Sequence, residues 1–97
     1  MHETSNTSSC YRLRLYVTGA SLNSTRAINN MRSICDRYLK DNYQLEIIDI
    51  YQQPALAADA QLLALPLLVK LSPLPVKRLI GNMSDTGKVL RGLECLA

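Results

Sequence analysis

Three cysteines, one histidine and a short run of hydroxyl residues are the side chains of this 97-residue chain that could react. Thiol redox chemistry needs a nucleophilic thiolate and usually a resolving thiol close by. Cys10, Cys35 and Cys95 are widely spaced and form no C-x-x-C pair. Their odd number builds no disulfide framework and fits a reducing compartment. Cys35 also falls on an apolar helical stripe, where a free thiol packs as a small hydrophobe. His2, with Glu3 and Cys10, matches no metal-ligand spacing, so no metal site is expected. It is also the sole imidazole a serine nucleophile could use, which leaves hydrolysis without support. Gly19 and Gly81 stand alone and read as turns, not as a phosphate loop. Asp49 lacks an acid/base partner and reads as a capping or packing carboxylate. No catalytic residue and no cofactor is assigned.

What remains is surface. Arg26, Lys70, Lys77, Arg78 and Lys88 lie beside apolar strands or turns. Such charges either solvate a sheet edge and discourage stray pairing or form a docking face for an acidic partner. The net charge of +3, from 11 basic and 8 acidic residues, is too mild to point to nucleic acid. The aromatic residues are five Tyr, without Trp or Phe, so stacking platforms are scarce. The polar start MHETSNTSSC is no signal peptide. No apolar run approaches the roughly 20 residues that span a bilayer. A cytoplasmic protein that binds neither nucleic acid nor membrane is expected.

These residues must be positioned by one small domain, residues 11–97, after an N-terminal arm, residues 1–10. The apolar content of the whole chain, 47%, is enough for a core. Tyr11 to Val17 alternates with period two and predicts a strand, with Tyr11, Leu13, Leu15 and Val17 on one face and Arg12, Arg14 and Tyr16 on the other. Gly19 ends it. Asn23 or Ser24 can cap a helix whose stripe is Ala27, Ile28, Met31, Ile34, Cys35, Tyr38 and Leu39. Tyr43 to Tyr51 is a second strand, apolar enough at its end to suit a position covered on both faces. The two strands and the helix make a parallel βαβ unit. Pro54 can open a second helix, which Leu65-Pro66 stops. Leu67 to Leu71 and Val76 to Ile80 are strand candidates around a turn at Pro73 and Pro75. Ser84 or Asp85 can cap a last helix carrying Val89, Leu90, Leu93 and Leu96, in which Gly87 and Gly92 each cost about 1 kcal/mol relative to Ala. Short apolar runs do not separate strand from helix by pattern, so the second half is specified more weakly than the first.

The resulting β-α-β-α-β-β-α order is an α/β arrangement of thioredoxin-like type: a mixed sheet with helices on both faces. The loop after its first strand is the redox site of thioredoxin-like enzymes. Here that loop holds Ala20-Ser21-Leu22-Asn23-Ser24 and no cysteine. Pro66 stands where the proline facing such a site would be.

Laid out in this order, LYVTG at 15–19, NSTRAI at 23–28, LEIIDIYQQPALA at 45–57, LALPLL at 63–68 and PVKRLIGNMSDTGKVLRGL at 75–93 are similar to the KaiB family of clock proteins. The resemblance implies a non-enzymatic clock or regulatory protein. Its implied partner is the N-terminal ring of a KaiC-type ATPase, met through residues near 50–65. KaiA and a KaiB-like sensor kinase are further implied partners. It also implies a C-terminal half able to switch from the thioredoxin-like order to β-α-β-β-α-α-β, with assembly into a homo-oligomer, dimer or tetramer. Arg26, Lys70 and Arg78 match basic positions of the family, and Gln61 stands where a basic residue is usual. These four are the implied partner-binding residues. Tyr16, Asp49, Pro66, Gly81 and Asn82 match structural or fold-switch positions. Departures include Leu74 for a proline, Asn82 for an acidic residue and Ala58-Asp59 for an acidic pair. They leave open a paralogue acting in stress signalling outside the clock. A divergent thioredoxin-like protein with thiol redox activity is the alternative from another class.

Overall fold

The computed structural model describes residues 10–59 and 64–94. The elements are β1 (Tyr11–Val17), α1 (Leu22–Ile34), β2 (Tyr43–Asp49), α2 (Pro54–Asp59), β3 (Leu67–Ser72), β4 (Lys77–Ile80) and α3 (Thr86–Leu93). This is the expected β-α-β-α-β-β-α order, and the alternative order for the C-terminal half is not the one present. His2, Gln61, Cys95 and Leu96 lie outside the described residues.

The sheet order is β2-β1-β3-β4. β1 pairs with β2 in parallel, Leu15 opposite Ile47, and with β3 antiparallel, Leu15 opposite Leu68. β3 pairs antiparallel with β4, Val69 opposite Arg78. The period-two pattern of β1 sorts its side chains as expected. Leu13, Leu15 and Val17 join Ala27, Met31, Ile34, Cys35, Val89, Leu90 and Leu93 in one core beneath α1 and α3. Tyr16 faces the other way, into a smaller core with Ile48, Leu67 and Val69, against which Leu56 of α2 packs.

β2 is an edge strand of the sheet, and its apolar end is covered on both faces, Ile47 packing on the larger core and Ile48 buried in the smaller one, while Gln44 and Glu46 nearer its start are exposed. The cap of α1 is Ser21, whose side chain accepts from the Ser24 amide, and not Asn23 or Ser24. The helix then runs on through a π-helical turn, Cys35–Leu39, which sets both Cys35 and Leu39 into the core. Asp41, at φ 55, follows in the left-handed region that Asp tolerates. Asp85 caps α3, accepting from the Lys88 amide at 3.0 Å, as one of the two expected caps.

Candidate functional site

The loop between β1 and α1 is held by hydroxyl groups and one carboxylate. Ser24 is fully buried, and its Oγ accepts from the Thr18 amide at 3.1 Å and from the Ser21 hydroxyl at 2.8 Å. A buried polar atom without partners is costly, and Ser24 has them. Asp49, at the end of β2, reaches across: its Oδ1 accepts from the Gly19 amide at 3.1 Å and the Tyr51 amide at 2.9 Å. One carboxylate therefore pins the ends of both parallel strands. Gly19 sits at φ +55, a left-handed conformation that glycine adopts without steric cost, and a Cβ there would lie 3.6 Å from the Tyr51 ring.

Two large apolar side chains of the segments that meet at this clamp are exposed. Leu22 is 65% exposed and Tyr51 75% exposed, flanking Ala20 and Ser21, which are exposed as well. Pro66 packs into the interior at the start of β3, and its carbonyl accepts from the Gly81 amide at 3.0 Å. Gly81 has φ +126, a backbone region that only glycine enters readily, with open space around it. Asn82 ties the next loop to α1: its carbonyl accepts from Asn30 Nδ2 at 2.8 Å and its Oδ1 from the Ser84 amide at 3.1 Å.

Among the cysteines, Cys35 is fully buried and Cys10 half-buried. Cys10 precedes β1, so the seven-residue strand separates it from the loop by about 20 Å. No group of three His, Cys, Asp or Glu side chains converges as metal ligands among the described residues. A groove between β4 and the start of α3 is lined by Ile80, Met83, Asp85 and Lys88, on the far edge of the sheet from this loop.

The four residues matched to partner-binding positions are not brought together. Arg26 is exposed on α1, which packs on one face of the sheet. Arg78 is exposed on β4 and shares the opposite face with Val69. Lys70 is 1% exposed, so no partner can reach it in this conformation. Its ammonium donates to the Leu93 carbonyl at 3.4 Å, at the C-terminal end of α3, where helix carbonyls attract a cation. Gln61 lies outside the described residues. Of the structural matches, Tyr16 is buried in the α2-side core, and Asp49, Pro66, Gly81 and Asn82 each hold a loop as described.

Two residues without a site role in the sequence reading stand out on β1. Arg14 Nε donates to Glu46 Oε1 at 3.0 Å across the strand pair. Its guanidinium is held charged more firmly than usual, first by a hydrogen bond to the Tyr16 side chain, against some burial, and then by Glu46. Arg12 lies two residues earlier on the same face and is exposed. Alternation had already set both opposite the core, and only the strand order shows what stands beside them.

A family model described as the KaiB domain matches residues 14–95. The circadian clock oscillator protein KaiB of Prochlorococcus marinus (strain MIT 9312) is 48% identical over 86 residues, 89% of this chain and 82% of that protein. The circadian clock protein KaiB3 of Synechocystis sp. (strain PCC 6803) is 48% identical over 82 residues, 84% of this chain and 80% of that one. Among solved structures, the germline-specific thioredoxin Deadhead of the fruit fly superposes with a TM-score of 0.73 at 13% identity, covering 96% of this chain and 87% of that one. The N-terminal domain of Synechococcus elongatus SasA gives 0.70 at 21% identity, covering 91% and 87%. At such identities the two structures speak for the fold alone, which is thioredoxin-like.

Proposed function

The chain belongs to the KaiB family of circadian clock proteins, and from that premise we propose that it is a non-enzymatic regulator that docks on a KaiC-type ATPase ring. The observation that carries the proposal is the surface over the β1–α1 loop. Where a thioredoxin enzyme keeps its thiols, this chain presents Ala20 and Ser21 flanked by exposed Leu22 and Tyr51. Exposed apolar side chains grouped around a pinned loop suit recognition better than turnover. The docking region runs from this loop into residues near 50–65, and Arg26 and Arg78, on opposite faces of the sheet, are its further charged contacts. In the conformation described, Lys70 supports α3 from within and does not contact the partner. KaiA and a KaiB-like sensor kinase are the further partners of the proposal, and the cytoplasm is where they would meet.

Switching of the C-terminal half and assembly into dimers or tetramers belong to the same proposal. What supports them is local. β4 and α3 are short, four and eight residues, and join the rest through loops with positive φ at Gly81 and Met83. Short elements with few internal hydrogen bonds can repack at modest cost.

The test is co-elution of the purified protein with its cognate KaiC-type ATPase in the presence of ATP. Retention is expected, with loss on Tyr51→Ala and on Leu22→Ser. An ATPase that retains nothing, with either nucleotide state and with phosphomimetic changes, overturns the proposal. Insulin reduction that disappears on Cys10→Ser would favour the redox reading. Sedimentation together with chemical shifts of residues 52–97 tests the switch; a single monomeric species with one set of C-terminal resonances under all conditions rejects it.

A further inference from the structure

Below the end of the sheet that α2 covers, the same face carries three arginines and one carboxylate. Alternation along β1 puts Arg12 and Arg14 there. Strand register sets Glu46, Arg14, Val69 and Arg78 in one row across all four strands. Arg12 and Arg78 are exposed, and the Arg14 side chain is 31% exposed. A shallow groove passes between Arg12, Arg14, Gln44, Glu46 and Leu71. Glu46 alone answers the three cations, at 3.0 Å from Arg14, and neither Arg12 nor Arg78 has a side-chain partner among the described residues.

We propose that this face binds an extended, carboxylate-rich segment of another polypeptide, with Arg12, Arg14 and Arg78 as its anion-binding groups. Charge complementarity and a matching repeat favour such a segment. Arg12 and Arg14 are two residues apart on a strand, so their Cα atoms are separated by about 6.8 Å. Carboxylates at alternate positions of an extended segment repeat at the same spacing. Arg78 lies two strands from Arg14, roughly 9.5 Å away, within reach of a long acidic side chain on the segment's flank. Planar guanidinium groups take carboxylates through paired hydrogen bonds, which gives the contact direction as well as charge. Glu46 is the built-in stand-in: it shows a carboxylate seated on Arg14 and competes with an incoming one. Tyr16, the aromatic ring of this face on β1, is 3% exposed, so no base can stack on it and a nucleic acid is disfavoured. The surface is distinct from the β1–α1 loop, so its occupancy and ATPase docking can be tested apart. Arg78 is named in both proposals, and Arg12 and Glu46 therefore carry the discriminating variants.

The experiment is fluorescence anisotropy of the full-length protein with a labelled peptide of alternating Glu and Ser, at low ionic strength. Binding is expected for this peptide and not for its Gln-Ser counterpart of equal length. Arg12→Gln and Arg14→Gln should each weaken it about threefold, the effect of losing one partly exposed ion pair. Glu46→Gln should tighten it by about twofold as the competitor is removed. Lys88→Gln, on α3 across the sheet, should leave it unchanged. Circular dichroism confirms that each variant is folded, and if Arg14→Gln is not, Arg12→Gln and Glu46→Gln decide. Equal binding of the Glu and Gln peptides, equal weakening by Lys88→Gln, no tightening by Glu46→Gln, or tighter binding of a labelled oligothymidylate would each overturn the proposal.

Discussion

Replacing Gly92 by alanine sets two effects of opposite sign against each other. Gly92 lies in the last turn of α3. By helix propensity alone, alanine stabilises such a position by at most about 1 kcal/mol. The packing opposes it. A Cβ on Gly92 would meet the Leu79 side chain on β4, with Cδ2 at 2.6 Å, Cδ1 at 2.8 Å and Cγ at 3.1 Å. Because Cγ is included, a rotamer change at the tip of Leu79 does not relieve the contact. Either α3 moves off β4 or Leu79 leaves its place against the main core. Overpacking of this kind costs about 1–3 kcal/mol. The sum is a loss of about 1 kcal/mol, within a range of roughly 0–2. Gly87, in the first turn of the same helix, is the control. Its Cβ would meet the flexible end of Arg91, Nη1 at 3.1 Å, which can swing into solvent. Gly87→Ala should therefore be neutral or stabilise by up to about 1 kcal/mol. Urea unfolding followed by circular dichroism reads both variants. For a domain of this size, 1 kcal/mol moves Tm by about 4–8 °C. If Gly92→Ala proves as stable as Gly87→Ala, the close approach of α3 to β4 does not hold and the packing described here is wrong.

Ser24→Ala should cost about 1 kcal/mol, because it leaves the part-buried Thr18 amide without its acceptor; accelerated exchange of that amide is the local readout. Lys70→Ala should destabilise by about 2 kcal/mol or more through a cavity and a lost bond to Leu93. Lys70→Met, which keeps the volume and removes the charge, should cost less than about 1.5 kcal/mol; equal losses in chemical denaturation would refute the packing role. Tyr43 donates to Asp36 Oδ1 at 2.7 Å, and that hydrogen bond, followed by desolvation and the Asp36 charge, raises its pKa to about 12. A raised tyrosine pKa means that the folded state holds the proton longer. The associated stability is present below the ordinary value near 10 and is lost as pH rises from there through about 12. Phenolate absorbance should show one tyrosine titrating late, and Asp36→Asn should bring it back down.

Much of the first half was legible in the sequence because it depends on local periodicity. Alternation from Tyr11 to Val17 assigned both faces of β1 correctly. The apolar stripe from Ala27 to Leu39 put Met31, Ile34 and Cys35 in the core, where they are, but Tyr38 of the same stripe is 45% exposed, because the π-helical turn shifts the helix period there. Asp85 was one of two caps expected for α3. The empty loop after β1 was visible as residue types alone. What sequence pattern does not carry is which strand becomes an edge and what stands two strands away. So the isoleucines of β2 read correctly as covered on both faces at its end, but that the strand is an edge follows only from the strand order, in which no strand pairs beyond it. Lys70 reads as a surface charge and is buried, because its strand face lies under the C-terminal end of α3. Gly92 reads as a propensity cost and is a packing requirement set by Leu79, thirteen residues earlier. Arg12, Arg14 and Arg78 form one surface only through the β2-β1-β3-β4 order. Backbone periodicity repeats within a few residues and is written in neighbouring letters; register and layer contacts join residues far apart in the chain, and only the folded sheet decides them.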